Sequence, residues 1–418
     1  SSRIQNFFIK SHITFLSKHF IIHKLSSFSS SKLDKRDLEE LDRLSKINTI
    51  HKQKSVISSS INKNYTKKWY NHQLKNFSII KFFFKNHKFN TVVMPGGVYG
   101  NTGLYYYIIE NKNSICTFDS GLDRLIFCIN GITGYQHDVP VVVSDKSFLS
   151  ISNIQYDYIK KISLDELESR IKGTDTYNTQ LISSQKNFKL NFDVVIPLNI
   201  TWDLPALGKH RFFENDCDWV IETVDYILKN SNCSIAVRQH PHERNHTSGR
   251  DFEKLLNEKF SKYTNFKFFN CSEKINTYDL INGAKVVLPS VATIGIEAAL
   301  MGKCVIIESD NYYSNFSFVY KSTSKLDYFE RILKELNFER HKISNLQYKD
   351  AILTYYITQL CTAEITSFTP FVENFKSWVL LDLNKLQSNS SVKLILNAII
   401  NNIPVALQKH NNFIKNIN

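Results

Sequence analysis

The sequence predicts an α/β protein of two doubly wound halves, preceded by a basic helical stretch and followed by a helical segment. Three observations carry that expectation. Short β-branched runs alternate with segments of helical period from residue 89 to 143 and again from 192 to 308, at the spacing of right-handed crossovers. Runs such as 139–143 and 194–198 are apolar on both faces, which suits parallel strands covered on each side. With 418 residues, 42% of them hydrophobic, the chain can bury two cores of ordinary size.

Taken in order, residues 1–85 read as the basic helical extension. It has a Ser-rich break at 26–31 and a helix over 33–47, where Leu38, Leu41 and Leu44 recur at helical spacing. Residues 86–190 form the first half and a linker. A strand at 89–94 runs into the turn Pro95-Gly96-Gly97, a helix covers 104–110, and strands follow at 114–118 and 139–143. The polar, helical stretch 162–189 reads as the linker. Residues 191–335 form the second half, with strands at 194–198, 234–237, 266–269, 285–288 and 304–308. Its helices are expected at 219–229, 252–260, 277–282 and 293–301. Residues 336–418 read as mostly helical, interrupted by Pro370 and Pro404.

The net charge of +13 is unevenly placed. Residues 1–90 hold 18 Lys and Arg against 5 Asp and Glu, while residues 91–418 hold 34 of each. Phe7, Phe8, Phe15, Phe20, Trp69 and Phe82 through Phe84 are interleaved with those charges, a pattern that suits an anionic membrane surface. A nucleic acid would satisfy the same charges, as would a plain solvated helix face; nucleic acid is not favoured. No charge-free run of about 18 apolar residues occurs and the opening residues lack the apolar core of a secretory signal, so the expected location is cytoplasmic, peripheral on the inner membrane face. Seven scattered cysteines without a Cys-x-x-Cys pair point to reduced thiols.

In open α/β sheets ligands bind beyond the carboxyl ends of the strands, so polar residues directly after strands are the candidates for function. Arg238-Gln239-His240-Pro241-His242-Glu243 follows one strand. Pro241 fixes the backbone and leaves the His240 ring at the strand tip, where an imidazole N–H or the Arg238 guanidinium would offset charge growing on a departing phosphate. Another strand runs into Pro289-Ser290-Val291-Ala292-Thr293-Ile294-Gly295-Ile296-Glu297. Ser290 and Thr293 at a helix start suit an anion, and Glu297, one turn further on the same face, suits ribose hydroxyls; ordinary capping would use the same residues. Asn199 and Asp203 stand in a polar cluster after the strand at 194–198, which either lines the cleft or closes an Asx turn. In the first half, Gly96, Gly97 and Tyr99 occupy a Gly-rich turn that matches neither a dinucleotide fingerprint nor a P-loop, and it is expected to let substrate approach the backbone on the acceptor side. Asp216-Cys217-Asp218 reads as a helix cap, and neither a metal nor a cofactor is expected.

Together these stretches resemble the bacterial capsular-polysaccharide and surface-carbohydrate glycosyltransferases of the GT-B fold. The likeness is carried by residues 198–203, Asp218-Trp219, residues 237–243 and 290–305, and Tyr312-Tyr313 leading to Phe318 and Tyr328-Phe329. The resemblance implies two Rossmann-like domains facing a cleft, a nucleotide-sugar donor on the second and a glycan or glycolipid acceptor against the first. His-Pro ahead of a Ser/Thr-rich helix start is also similar to the Kdo- and sialyltransferase-type enzymes, which use CMP-activated ulosonic acids. That likeness implies His240 on the donor phosphate, Ser290 and Thr293 on phosphate or carboxylate oxygens, Glu297 on ribose, and a CMP-linked donor in preference to a UDP-linked one. Val291 and Ala292 depart from relatives that carry two adjacent hydroxyl residues. An inverting transferase also needs a base in the first half; Asp119, directly after the strand at 114–118, is expected to serve, with Asp123, His137 and Asp138 as rivals. The expected function is therefore metal-independent sugar transfer to a capsule or lipopolysaccharide glycan. The alternatives are a CDP-polyol phosphotransferase of the teichoic-acid type and a non-catalytic nucleic-acid-binding protein.

Overall fold

A computed structural model of the chain describes residues 28–54, 61–110, 114–120, 124–175, 191–200, 209–245, 250–338, 343–365 and 388–417. It begins with a helical hairpin, α1 (Lys35–Gln53) and α2 (Lys63–Asn86). Asp34 and Asp37 close a capping box on α1, and Asn62 caps α2. Leu41, Leu44, Phe77 and Ile80 on these helices are fully buried against Met94, Val98, Leu104 and Ile115. Helices α1 and α2 thus pack into the first half's core, where a separate extension was expected. Each helix carries an apolar row that needs cover, and the sheet supplies it. Phe7, Phe8, Phe15 and Phe20 lie outside the described residues.

The first half continues with β1 (Thr91–Pro95), α3 (Thr102–Ile109), β2 (Ser114–Ser120) and β3 (Arg124–Ile129), then α4 (Asp138–Val143), α5 (Lys146–Leu149) and α6 (Asn153–Lys172). Residues 139–143 are therefore helical, against the expected strand. Val139, Val142 and Val143 are buried while Pro140 and Val141 face outward, a helical pattern, and Pro140 in the first turn needs no N–H partner.

The second half comprises β4 (Val194–Pro197), α7 (Asp216–Asn230), β5 (Ile235–Arg238), α8 (Arg250–Phe260), β6 (Phe266–Phe269), α9 (Thr277–Gly283) and β7 (Val286–Val287). It then runs through α10 (Ile294–Leu300), β8 (Cys304–Ile307), β9 (Tyr320–Lys321) and α11 (Lys325–Leu336). Every strand pair is parallel, in the order β6-β5-β4-β7-β8-β9. Val195, Ala236, Val287 and Val305 point into one core, with α9 and α10. Their neighbours Val194, Ile235, Val286 and Cys304 point into the other, with α7, α8 and α11. Both faces are covered, which explains why these strands read as unbroken apolar runs.

The C-terminal segment consists of α12 (Asn345–Tyr356), a π-helical turn (Ile357–Cys361), β10 (Ala363–Ile365), α13 (Ser390–Asn401) and α14 (Val405–Ile414). It crosses back to the first half, where β10 completes the sheet β1-β2-β3-β10. That sheet is mixed: β1 and β2 are parallel, while β2 with β3 and β3 with β10 are antiparallel. Pro404 precedes α14 and starts a helix, whereas Pro370 lies outside the described residues. The architecture is α/β, as expected, in two halves; the second is the doubly wound parallel domain expected, whereas the first carries a mixed sheet where a second doubly wound one was expected. Among the described residues no helix is long and apolar enough to cross a membrane.

One buried side chain in this C-terminal packing is poorly served. His410 is fully buried beside Phe148 and Tyr356, at ring-centroid distances of 4.6 and 5.8 Å, and neither ring nitrogen has a hydrogen-bond partner among the described residues. Burial pushes the ring down to about 4, so it sits neutral with an unmet donor and an unmet acceptor. Replacement by an apolar group of similar volume removes that cost. His410→Leu is expected to raise unfolding free energy by about 1–3 kcal/mol in urea titration at pH 7.

Candidate functional site

The strand order of the second sheet reverses between β4 and β7. A crevice opens at such a switch point, beyond the carboxyl ends of the two strands. It leads into a cavity of about 510 Å³ between the halves. Asp119, Asn199, Arg238, His240, Thr293 and Glu297, drawn from four separate stretches of the chain, all line it. Ser290, Gly96, Gly97 and Tyr99 do not, and Asp203 lies outside the described residues.

His240 follows β5 and precedes a 3₁₀ turn, Pro241–Asn245. The His242 backbone N–H donates to His240 Nδ1 at 3.2 Å, so Nδ1 is bare and Nε2 carries the proton. Burial, with the charges of His242 and Arg238 adding to it, pushes the ring down to about 4. His240 is therefore a neutral N–H donor at physiological pH. Buried Gln239 and Glu243 lock the turn behind it: Gln239 Nε2 donates to Glu243 Oε2 at 2.6 Å, and Cys271 N donates to Gln239 Oε1 at 3.0 Å.

Arg238 was expected on the donor, but the structure gives its guanidinium another task. It is 1% exposed and donates to the carbonyls of Asn270, Glu273 (3.3 Å) and Ile275 (3.1 Å), bracing the loop after β6. A short strand tip among buried carbonyls needs such a donor, because unpaired carbonyls there would be costly. Burial lowers its pKa to about 10.

The loop after β7 is held from several sides. Ser290 is wholly buried; its carbonyl accepts from Ser309 Oγ at 2.6 Å and Asn311 Nδ2 at 2.8 Å, while its hydroxyl is buried without a hydrogen-bond partner among the described residues and Ser290 is not part of the cavity lining. Ser290 shapes the loop, in contrast to the expected phosphate contact. Val291 N donates to Asn199 Oδ1 at 3.3 Å, so Asn199 bridges the tips of β4 and β7 across the switch point. A Cβ at Gly295 would stand 2.4 Å from the Tyr313 hydroxyl, which donates to Ala292 O at 2.7 Å; only glycine permits that approach. Thr293 lies half-buried at the cavity, its hydroxyl oxygen accepting from Tyr312 at 3.3 Å.

Glu297 is 2% exposed on α10. Its Oε1 accepts from Arg170 Nη1 at 3.2 Å and its Oε2 from the Tyr278 hydroxyl at 2.9 Å. Burial raises its pKa, and Arg170 and Tyr278 oppose the rise. Arg170 also donates to Gln359 Oε1 on the π turn. Arg170, Tyr278, Thr358 and Gln359 all line the cavity and none was singled out from sequence. They lie in the linker helix, in α9 and in the C-terminal segment, away from any strand tip, and no local pattern marks them.

On the opposite wall, Asp119 near the end of β2 is exposed at the cavity. Its rivals are placed otherwise. Asp138 is buried at the start of α4, accepts from Ile129 N at 3.0 and 3.1 Å, and is raised to about 7 by burial. His137 accepts from Ile132 N at 3.2 Å and lines a neighbouring cavity of about 390 Å³; Asp123 lies outside the described residues. The Gly-rich turn, expected to meet the acceptor, is clamped under the helical hairpin instead. Gly100 N donates to Asn48 Oδ1 at 2.7 Å, Gln73 Nε2 donates to Gly100 O at 2.7 Å, and Tyr99 lies against His51. Gly96 and Gly97, at φ +59° and +87°, make the tight turn that lets the chain pass there. Asn215 caps α7, with Asp216 and Asp218 in its first turn. Among the described residues no group of three or more His, Cys, Asp and Glu is placed to hold a metal ion.

No family model matches the chain, and no curated protein matches it. Solved structures do resemble it in outline. The Thermosulfurimonas dismutans KpsC β-Kdo 2,7-transferase is 15% identical, with 64% of this chain and 77% of that chain covered and a TM-score of 0.38. For the β-Kdo 2,4-transferase of the same KpsC the values are 14%, 63%, 79% and 0.39. For Methanocaldococcus jannaschii UDP-GlcNAc 2-epimerase, in complex with UDP-GlcNAc and UDP, they are 13%, 77%, 96% and 0.30. At these TM-scores the likeness assigns no role to any residue.

Proposed function

We propose that the chain is a glycosyltransferase that moves a sugar from a nucleotide donor in the cleft to a growing capsule or lipopolysaccharide glycan. One observation supports this best: a neutral His240 N–H and the buried Glu297 carboxylate share one cavity at the switch point, and Asp119 enters it from the other half. The Glu297 oxygens accept from ribose hydroxyls, His240 Nε2–H donates to a phosphate oxygen, and the Thr293 hydroxyl donates beside it. The acceptor hydroxyl oxygen bonds to the anomeric carbon as the bond from that carbon to the phosphate oxygen breaks. Asp119 takes the hydroxyl proton, and the departing phosphate oxygen keeps the electron pair. His240 strengthens its hydrogen bond as charge grows there, so no metal is required of this step. A CMP-linked ulosonic acid such as Kdo is the donor favoured over a UDP-linked sugar. The excess of Lys and Arg in residues 1–90 would hold the enzyme peripherally on the inner membrane face.

A thermal-shift screen of the full chain against CMP, CDP, UDP and GDP tests the reading. CMP is expected to raise Tm most, with about 2.7 kcal/mol of added stability at 100-fold excess over Kd. If no nucleotide shifts Tm, the donor site is wrong. Asp119→Asn is expected to keep the nucleotide shift and lower transfer about 10²–10⁴-fold; undiminished transfer would remove Asp119 as the base.

A further inference from the structure

Arg170 joins three stretches that are far apart in the chain. It sits near the end of α6, reaches Glu297 on α10 at 3.2 Å, donates to Gln359 on the π turn, and keeps Nε within 3.5 Å of Glu166. We infer that Arg170 is the positioning residue of the nucleotide site: it holds the Glu297 carboxylate charged and turned to the cavity, so that the site selects a ribose over a deoxyribose. This rests on the nucleotide reading above and goes beyond it by assigning the basis of selection.

The physical case starts from Glu297. Ile296, Ala298 and Ala299 around it are fully buried, and a carboxylate in such surroundings gains a proton unless a cation opposes it. A protonated carboxyl would lose an acceptor on one oxygen and could no longer receive two hydroxyls. Arg170 supplies the opposing charge. With Oε1 held by Arg170 and Oε2 by Tyr278, the carboxylate plane cannot rotate, and each oxygen keeps a lone pair for one hydroxyl of a vicinal diol. A planar guanidinium reaches Glu297, Gln359 and Glu166 at once from a single fixed orientation, which a lysine ammonium cannot do. Gln359 belongs to a π turn, a rare helix form frequent at functional sites, and Thr358 and Gln359 line the same cavity.

The test measures Kd of the full chain for CMP and 2′-deoxy-CMP by titration calorimetry. Wild type is expected to bind CMP about tenfold more tightly than 2′-deoxy-CMP, as befits one hydrogen bond to a charged group. Arg170→Gln is expected to weaken CMP, which loses both hydroxyl contacts, about a hundredfold and 2′-deoxy-CMP, which loses only its 3′-hydroxyl contact, about tenfold, bringing the ratio to about one. Glu297→Gln does the same, and the double variant is no worse than either single one, because both act through one carboxylate. Arg170→Lys keeps the charge without the fork and should retain an intermediate ratio; it carries the test if Arg170→Gln fails to fold. A role in stability alone would lower Tm and leave the ratio at its wild-type value, and that result overturns the inference while the nucleotide reading stands. Equal weakening of both nucleotides, or a wild type that does not distinguish them, overturns it as well. A wild type that binds neither nucleotide sinks the nucleotide reading and this inference together.

Discussion

His240→Ala is expected to lower the rate of sugar transfer about 10²–10³-fold, the usual cost of removing one preorganised donor from a developing oxyanion. The donor geometry is built into the turn. With Nδ1 accepting from His242 N, only Nε2 can carry the proton, and the Gln239–Glu243 bond keeps the turn from relaxing. His240→Gln, which also presents an N–H, should recover part of the loss. The ring's folded value of about 4 lies below its ordinary 6.5, so its neutral form contributes stability that is present above pH 6.5 and lost as pH falls toward 4. The same shift means that His240 places no inflection in the rate between pH 5 and 9. A pH profile with an inflection near 6.5 that disappears in His240→Ala would show that the ring titrates during turnover, against this account. Undiminished transfer by His240→Ala would remove it from the site.

His210→Ala is expected to cost about 3–5 kcal/mol of stability at pH 7, the largest effect foreseen outside the site. His210 lies fully inside the second half, with Nδ1 2.5 Å from Glu308 Oε1 and Nε2 3.3 Å from Asp216 Oδ1, both carboxylates also buried. Burial alone would push the ring down; the two carboxylates outweigh it and hold the ring up at about 10. Without the imidazolium, two buried carboxylates would face each other with no cation between them. Because the folded value lies above the ordinary 6.5, this contribution is fully present below pH 6.5 and is lost as pH rises through 10. Urea titrations at pH 7 and pH 10.5 (about half a unit above that value) should therefore differ for wild type and much less for His210→Ala. Equal pH dependence in the two proteins would contradict the assignment. The cluster also bears on the site. His210 pairs with Ser309 in a β-bridge, and Ser309 Oγ donates to the Ser290 carbonyl, so loosening it should disturb the loop that carries Thr293.

Much of this protein was written in local sequence. The alternation of apolar runs and helical segments specifies the parallel second sheet, because strands covered on both faces must be apolar throughout and helices covered on one face must not. Pro241 after a strand, and small and hydroxyl residues before Glu297, marked two walls of the cavity for the same local reason. Other features had no local signature. Residues 139–143 satisfy a strand and a buried helix turn equally well by hydrophobicity, and the place beside β3 went to β10, a strand from more than two hundred residues later. Arg238 and Ser290 occupy the right strand tips, yet packing turned one guanidinium to carbonyls and buried one hydroxyl. Arg170 meets Glu297 across 127 residues and Gln359 across 189, and His210 meets Glu308 across 98. Residue type and spacing determined where ligands would be sought; which charges face one another was decided only by the tertiary structure, because burial strengthens a charge interaction and topology alone selects the partners.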